Sequence, residues 1–243
     1  MDTIVALATP PGRSAIAVVR LSGPDSLSIA RSLIGDPAFQ PAPANANLRA
    51  IRNVGTGETI DQALLTYFAK PHSFTGEDII EISCHGSPLV IREVIDSILS
   101  LGGRLADPGE FTLRSVNNGK LNLSQAEAIR DLINARTDAA ARQAVRQLSG
   151  ELSLRLQPIK EALLELIVQL ESAIEFVEDD LPEVKRKEVG EKLHGLIIDV
   201  NRLASTFQSG HLLRDGLKVT IVGPPNAGKS TVFNKLLQFE RAI

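Results

Sequence analysis

Up to about residue 120 the apolar positions fall in short runs. Residues 4–8, 16–21, 48–54, 63–68 and 79–84 are bounded by Gly, Pro, Asn or Ser and predict strands. Residues 25–34 and 89–101 carry apolar side chains at helical spacing and predict helices. Gly102-Gly103 ends the second helix by supplying backbone free to take positive φ, and Pro37, Pro41 and Pro43 mark a surface loop. Short strands interleaved with helices predict a mixed α/β or α+β first domain. Within 79–84 the alternation places Ile80, Ile82 and Cys84 on one face, with Glu81, Ser83 and His85 on the other. Arg20 is in register with Ile16 and Val18, which puts it either at a strand end or in a polar pocket.

From residue 121 to about 210 the period becomes helical. Ser124 and Glu127 have capping-box spacing and predict a helix start. Ile129, Leu132, Ile133, Ala140, Ala144 and Leu148 then follow one face, and Gly150 and Pro158 interrupt the pattern. Leu156, Ile159, Leu163, Leu166, Leu170 and Ile174 form a heptad seam, expected to be the core of a helical bundle. The acidic run Glu178-Asp179-Asp180 and Pro182 break it. A third helix carries Val189, Leu193, Leu196, Val200, Leu203 and Phe207 and stops at Gly210. Helices joined by a Pro-containing turn are expected to pack antiparallel.

Composition narrows the class. The 243 residues suggest two domains, and 43% hydrophobic with 23% charged residues is ordinary for a soluble globular chain. A net charge of −3 argues against a bulk electrostatic nucleic-acid binder, so RNA contact calls for a local basic patch or a partner. One cysteine permits no intrachain disulfide and fits a reducing cytoplasm. Residues 3–8 lack the basic and long apolar regions of a signal peptide, and residues 163–170 are too short for a membrane span. The expected location is cytoplasmic, with no membrane association.

The most specific chemistry is Gly223-Pro224-Pro225-Asn226-Ala227-Gly228-Lys229-Ser230, a G-x-x-x-x-G-K-S phosphate loop. An apolar run at 217–222 predicts the strand before it, and spacing over 231–237 the helix after it. Glycines let successive amides converge on one phosphate; Lys229 reaches the β/γ-phosphates and the Ser230 hydroxyl ligates Mg²⁺. The loop alone does not separate GTP from ATP. Cys84 and His85 are strand neighbours on opposite faces and cannot act as a direct nucleophile–base pair, and the single Cys with scattered His gives no zinc spacing. The pattern alone reads the carboxylates Glu77, Asp78 and Glu81 as a solvated edge and strand face.

Six separated motifs carry a resemblance over essentially the whole chain: T-P-P-G-R at 9–13, Ser22-Gly23, S-F-T-G-E-D at 73–78, Cys84-His85-Gly86, P-G-E-F-T at 108–112 and N-G-K-L-N-L at 118–123. With the helical segment and the phosphate loop they resemble the MnmE (TrmE) family of tRNA-modifying GTPases. Ser14-Ala15 and Ser87 replace glycines usual in that family. The resemblance implies an α+β folate-binding and dimerisation domain of aminomethyltransferase-like fold at 1–120, the first part of a helical domain at 121–215, and the start of a Ras-like P-loop G domain at 216–243. It further implies that Arg20, Glu81 and Lys120 bind 5-formyl- or 5,10-methylene-tetrahydrofolate, overturning the solvated reading of Glu81. Asn226, Ala227, Gly228, Lys229, Ser230 and Thr231 would contact GTP, Ser230 would bind Mg²⁺ and Asn226 would act with K⁺. The implied activity is GTP hydrolysis coupled to modification of the tRNA wobble uridine, by a homodimer working with a flavin-dependent MnmG-type partner. Switch and base-recognition motifs of a G domain are not in this sequence, so no catalytic residue is assigned. Two other classes remain: a folate-binding dimerisation module alone, and an ATPase of the wider P-loop superfamily.

Overall fold

The structure, a computed structural model, describes residues 2–175, 186–205 and 220–237. It divides into two compact units, residues 1–127 and 128–243. The first contains strands β1 (Ile4–Leu7), β2 (Ser14–Ser22), β3 (Ala46–Arg52), β4 (Thr59–Phe68), β5 (Ile79–Gly86) and β6 (Arg104–Leu105), with helices α1 (Ser26–Ile34), α2 (Pro88–Ser100) and α3 (Glu110–Asn117). They form one sheet of order β3-β4-β5-β2-β1-β6, antiparallel except where β6 joins β1.

Cross-strand register explains the burial. Ala17, Val19 and Leu21 on β2 face Cys84, Ile82 and Ile80 on β5, and this side packs against Ile29, Leu33, Ile91, Val94 and Ile98 of α1 and α2. The other side presents the pairs Ile16–His85, Val18–Ser83 and Arg20–Glu81. Its apolar members Ile16, Leu48 and Leu64 are exposed, whereas towards β1 the same face is closed, with Ser22 buried against Thr75 and Glu77. The alternation read from residues 79–85 is the observed one.

Two elements of the first unit, α3 and β6, were not anticipated. The two-residue β6 is too short for a periodic signal, and α3 opens on Gly109 at φ 80° without a side-chain cap. Gly102 takes φ 94° after α2, as a glycine at a helix end permits, and Gly103 lies where a Cβ would come within 2.8 Å of Ile98 Cγ2.

Helix α4 (Leu123–Asn134) begins with a capping box two residues earlier than expected. Asn122 Oδ1 accepts from the Gln125 amide at 2.9 Å, and Gln125 Oε1 accepts from the Asn122 amide at 3.0 Å. Ser124 and Glu127 have the same spacing but lie inside the helix. The apolar face read through 129–148 is split between α4 and α5 (Asp138–Leu148), because Thr137 caps a new helix by accepting from the Ala140 amide at 3.1 Å.

Gly150 separates α5 from α6 at φ 87°, but Pro158 lies inside α6 (Glu151–Glu175) rather than ending it. The amide that Pro158 lacks would have bonded the carbonyl of Leu154, an exposed residue whose carbonyl water can serve, so a long helix tolerates the loss. Helix α7 (Arg186–Ser205) and α5 both pack on α6, and Lys192 donates to Gln169 Oε1 at 3.2 Å. The seam is not the enclosed core expected of it. Leu166 is buried, whereas Leu156, Leu163 and Leu170 are 39–44% exposed, because neighbours on part of the α6 circumference leave the rest of its broad apolar surface uncovered. Ile174, the acidic run, Pro182, Phe207 and Gly210 lie outside the residues whose side chains are described.

Candidate functional site

Arg20 lies mid-strand on β2, opposite Glu81 on β5, which settles its position in favour of a polar site over a strand end. Its Nε and Nη2 both donate to Glu81 Oε1, at 2.9 and 2.5 Å, which leaves Oε2 open among the described residues. The two side chains remain 29% and 24% exposed. The guanidinium also lies over the rings of Phe74 and Phe111, at 5.7 and 5.9 Å from their centroids. Neither ring was singled out from the sequence, although both sit in the quoted motifs at 73–78 and 108–112.

Lys120 is not brought against that pair. Its Nζ donates to the Pro71 carbonyl at 2.9 Å, and its stem lies 3.2 Å from the position a Cβ on Gly76 would take. Arg20 and Lys120 thus reach the same loop, the first through Phe74 and the second through Pro71 and Gly76. Lys120 also lines a cleft of about 380 Å³ with Lys70, Pro71, Asp78 and Asn118. Within it Asp78 accepts from the Tyr67 hydroxyl at 2.7 Å, and burial together with this bond pushes the phenol up to about 12.

The three carboxylates considered together in the sequence have separate partners here: Glu81 has Arg20, Asp78 has Tyr67 and Lys70, and Glu77 has Arg114. Arg114, only 6% exposed, is the centre of a charge network the sequence did not reveal. It donates to Glu77 Oε2 at 3.1 Å, to Glu110 Oε1 at 2.9 Å, and to the Asp2 carboxylate and carbonyl at 2.8 Å each. Arg104 joins through Glu110, at 2.6 and 2.9 Å, and through Asp2. The bond from Arg104 is the main reason the Glu110 carboxyl is held down, at about 2. Ser22 adds a bond to Glu77 Oε2 at 2.7 Å, Ser115 Oγ donates to the Phe74 carbonyl at 2.8 Å and Asn118 to that of Thr75 at 2.8 Å. These contacts clamp the loop that carries Phe74 onto α3.

Cys84 is buried, with its thiol pushed up by burial, whereas His85 is exposed and engages Asp61; the two neighbours point apart, as their strand positions require. Among the described residues no group of three or more His, Cys, Asp or Glu side chains converges as a metal site.

In the second unit, α8 (Lys229–Leu237) follows the phosphate loop and starts two residues earlier than expected. Asn226 and Gly228 take φ 62° and 79°, so the backbone curls ahead of the helix. Lys229 Nζ turns back to the Pro224 carbonyl at 2.7 Å, across the mouth of the loop. The expected strand lies partly outside the described residues, and 220–222 are not in a ladder. A strand needs a neighbour to bond its amides and carbonyls, and among the described residues none pairs with this segment. No helix among them is long and apolar enough to cross a membrane.

The architecture is thus an α+β sheet unit and a helical unit, with a curled G-x-x-x-x-G-K-S loop near the end of the described residues. Comparison with known proteins is more specific. The family model for the GTP-binding protein TrmE N-terminus matches residues 3–120, and that for the MnmE helical domain matches residues 123–238. Proteins named tRNA modification GTPase MnmE are 44% identical over 244 residues in Koribacter versatilis, 43% over 242 in Aquifex aeolicus and 45% over 243 in Legionella pneumophila strain Paris. Each alignment covers all of this chain and 54% of the relative, so the chain spans about half the length of these relatives. The chain belongs to the MnmE (TrmE) family.

Proposed function

We propose that this chain supplies the folate-binding domain (1–120), the first part of the helical domain (121–215) and the beginning of the G domain (216–243) of a tRNA-modification GTPase. The whole protein, as a homodimer with a flavin-dependent MnmG-type partner, installs a 5-carboxymethylaminomethyl-type group on the wobble uridine of certain tRNAs in the cytoplasm. A bound tetrahydrofolate, 5-formyl or 5,10-methylene, supplies the one-carbon unit.

The observation that carries this reading is the part-exposed Arg20–Glu81 pair on the face of the sheet turned away from α1 and α2. Glu81 Oε2 is open for an N–H donor on a pterin edge, and Phe74 and Phe111 offer flat apolar walls beside it. Lys120, held by a neutral carbonyl and no carboxylate among the described residues, is available to a folate carboxylate. The exposed Leu48 and Leu64 on β3 and β4 give a second copy an apolar surface to cover, which suits a closed two-fold dimer with two equivalent sites.

For the nucleotide, the curl at Asn226 and Gly228 and the placement of Lys229 at the start of α8 suit a β/γ-phosphate cradle closed by residues 226–231. The Lys229 ammonium exchanges the Pro224 carbonyl for phosphate oxygens, Ser230 serves Mg²⁺ and Asn226 serves K⁺. In the full-length protein GTP hydrolysis is therefore expected to be faster in K⁺ than in Na⁺ at equal ionic strength. A phosphate-release assay checks this, and equal rates in the two salts contradict the role given to Asn226.

A further inference from the structure

Two quoted motifs that the folate and nucleotide sites leave unused meet in one place. Residues 9–13 lead into β2, and Cys84-His85-Gly86 ends β5, with Ser14 paired to Gly86 and Ile16 to His85. Their approach depends on a glycine: a Cβ on Gly86 would lie 2.1 Å from Ser14 Oγ and 2.4 Å from the Ser14 carbonyl oxygen. The result is a cleft of about 610 Å³ whose polar lining comes from Arg13, Ser14, His85 and Ser87, with no carboxylate.

The His85 side chain is 74% exposed, yet it is held. Its Nδ1 lies 2.8 Å from Asp61 Oδ1, and Asp61 Oδ2 accepts the His85 backbone amide at 2.8 Å. The Asp61 side chain is only 11% exposed. Burial alone would raise its carboxyl, but the bonds from the His85 amide and ring outweigh that and hold it below its ordinary value. A largely buried carboxylate behind an exposed imidazole fixes the ring proton on Nδ1 and leaves Nε2 as the nitrogen available to a ligand. Arg13 adds a guanidinium that has no ion-pair partner among the described residues.

We propose that this cleft is an oxyanion site, which takes a phosphate or carboxylate group between the Arg13 guanidinium and His85 Nε2. Arg13 presents a planar fork of donors that matches either group. Nε2 donates to that group when the ring is protonated, with Nδ1 donating to Asp61 at the same time. Asp61 is a positioning residue that keeps the ring aimed. Arg20, Glu81 and Lys120 do not line the cleft, so the site stands apart from the folate reading. The source of the oxyanion is either an RNA phosphodiester or a small-molecule carboxylate, since the two donors serve both.

The probe is inorganic phosphate, titrated into the protein against chloride at constant ionic strength while the His85 ring Cε1–H resonance is followed by NMR. A saturable shift with phosphate and not with chloride is expected. Arg13→Gln, at an exposed loop position, is expected to keep the melting temperature and weaken phosphate binding by about tenfold or more, the loss of one charge-assisted contact. Displacement of phosphate by tRNA identifies a phosphodiester source, and displacement by a small dicarboxylate such as succinate a carboxylate source; either supports the site. A phosphate response no larger than that of chloride, or undiminished phosphate affinity in Arg13→Gln, overturns it.

Discussion

Arg114→Met is expected to destabilise the first unit by about 3–5 kcal/mol, the cost of stranding buried carboxylates. Glu77 and Glu110 keep side chains only 12% and 11% exposed and lose a shared guanidinium, while the Asp2 carbonyl loses its donor. Methionine fills much of the volume, so the loss reads as electrostatic rather than as a cavity. Urea unfolding of both proteins measures it. A change below about 1 kcal/mol, the range of exposed ion pairs, would show that water already screens the network. The same network sets an acid limit. Glu110 has its folded carboxyl lowered from 4.5 to about 2, so its contribution is complete above pH 4.5 and is lost as pH falls through the folded value. Stability of the unsubstituted protein should therefore decline across that window, and an Arg104→Met protein, which lacks the main bond holding the Glu110 carboxyl down, should lose less there.

Lys229→Ala, made in the full-length protein, is expected to weaken GTP binding by about a hundredfold, since it removes the one cation of the loop, which the proposed phosphate cradle sets against the β/γ-phosphates. The side chain spans the loop mouth to Pro224, so alanine also removes a brace of the loop. Melting the nucleotide-free proteins separates the two effects: an unchanged melting temperature with lost affinity assigns the lysine to phosphate. GTP affinity equal to that of the unsubstituted protein would end the phosphate-loop assignment.

The parts legible in the sequence are those set by local periodicity. Alternation along 79–85 gave both faces of β5 correctly, because each residue's face follows from its position in the strand. Capping was less determinate: Asn122/Gln125 and Ser124/Glu127 offer the same spacing, and which pair closes depends on where the chain leaves the preceding loop. The break at Thr137 and the passage of α6 through Pro158 were misread because helical spacing cannot register a change of axis, and one missing amide does not end a long helix. The Arg114 network joins residues as far apart as Asp2, and no window of sequence contains that contact. The candidate site shows the same divide. Resemblance named Arg20, Glu81 and Lys120, but only the fold shows that the first two form a pair walled by Phe74 and Phe111, with Lys120 reaching their loop separately.

The central claim is that Glu81 is a ligand for a folate rather than a structural acid. Calorimetric titration of a reduced folate into the 243-residue protein and its Glu81→Ala variant, with thermal melts of both, tests it most directly. The pair is part-exposed, so removing it should change stability by no more than about 1 kcal/mol, while the loss of a charged acceptor should weaken folate binding by about ten- to a hundredfold. A variant that binds folate as the parent does, or one that unfolds instead of losing affinity, would contradict the account.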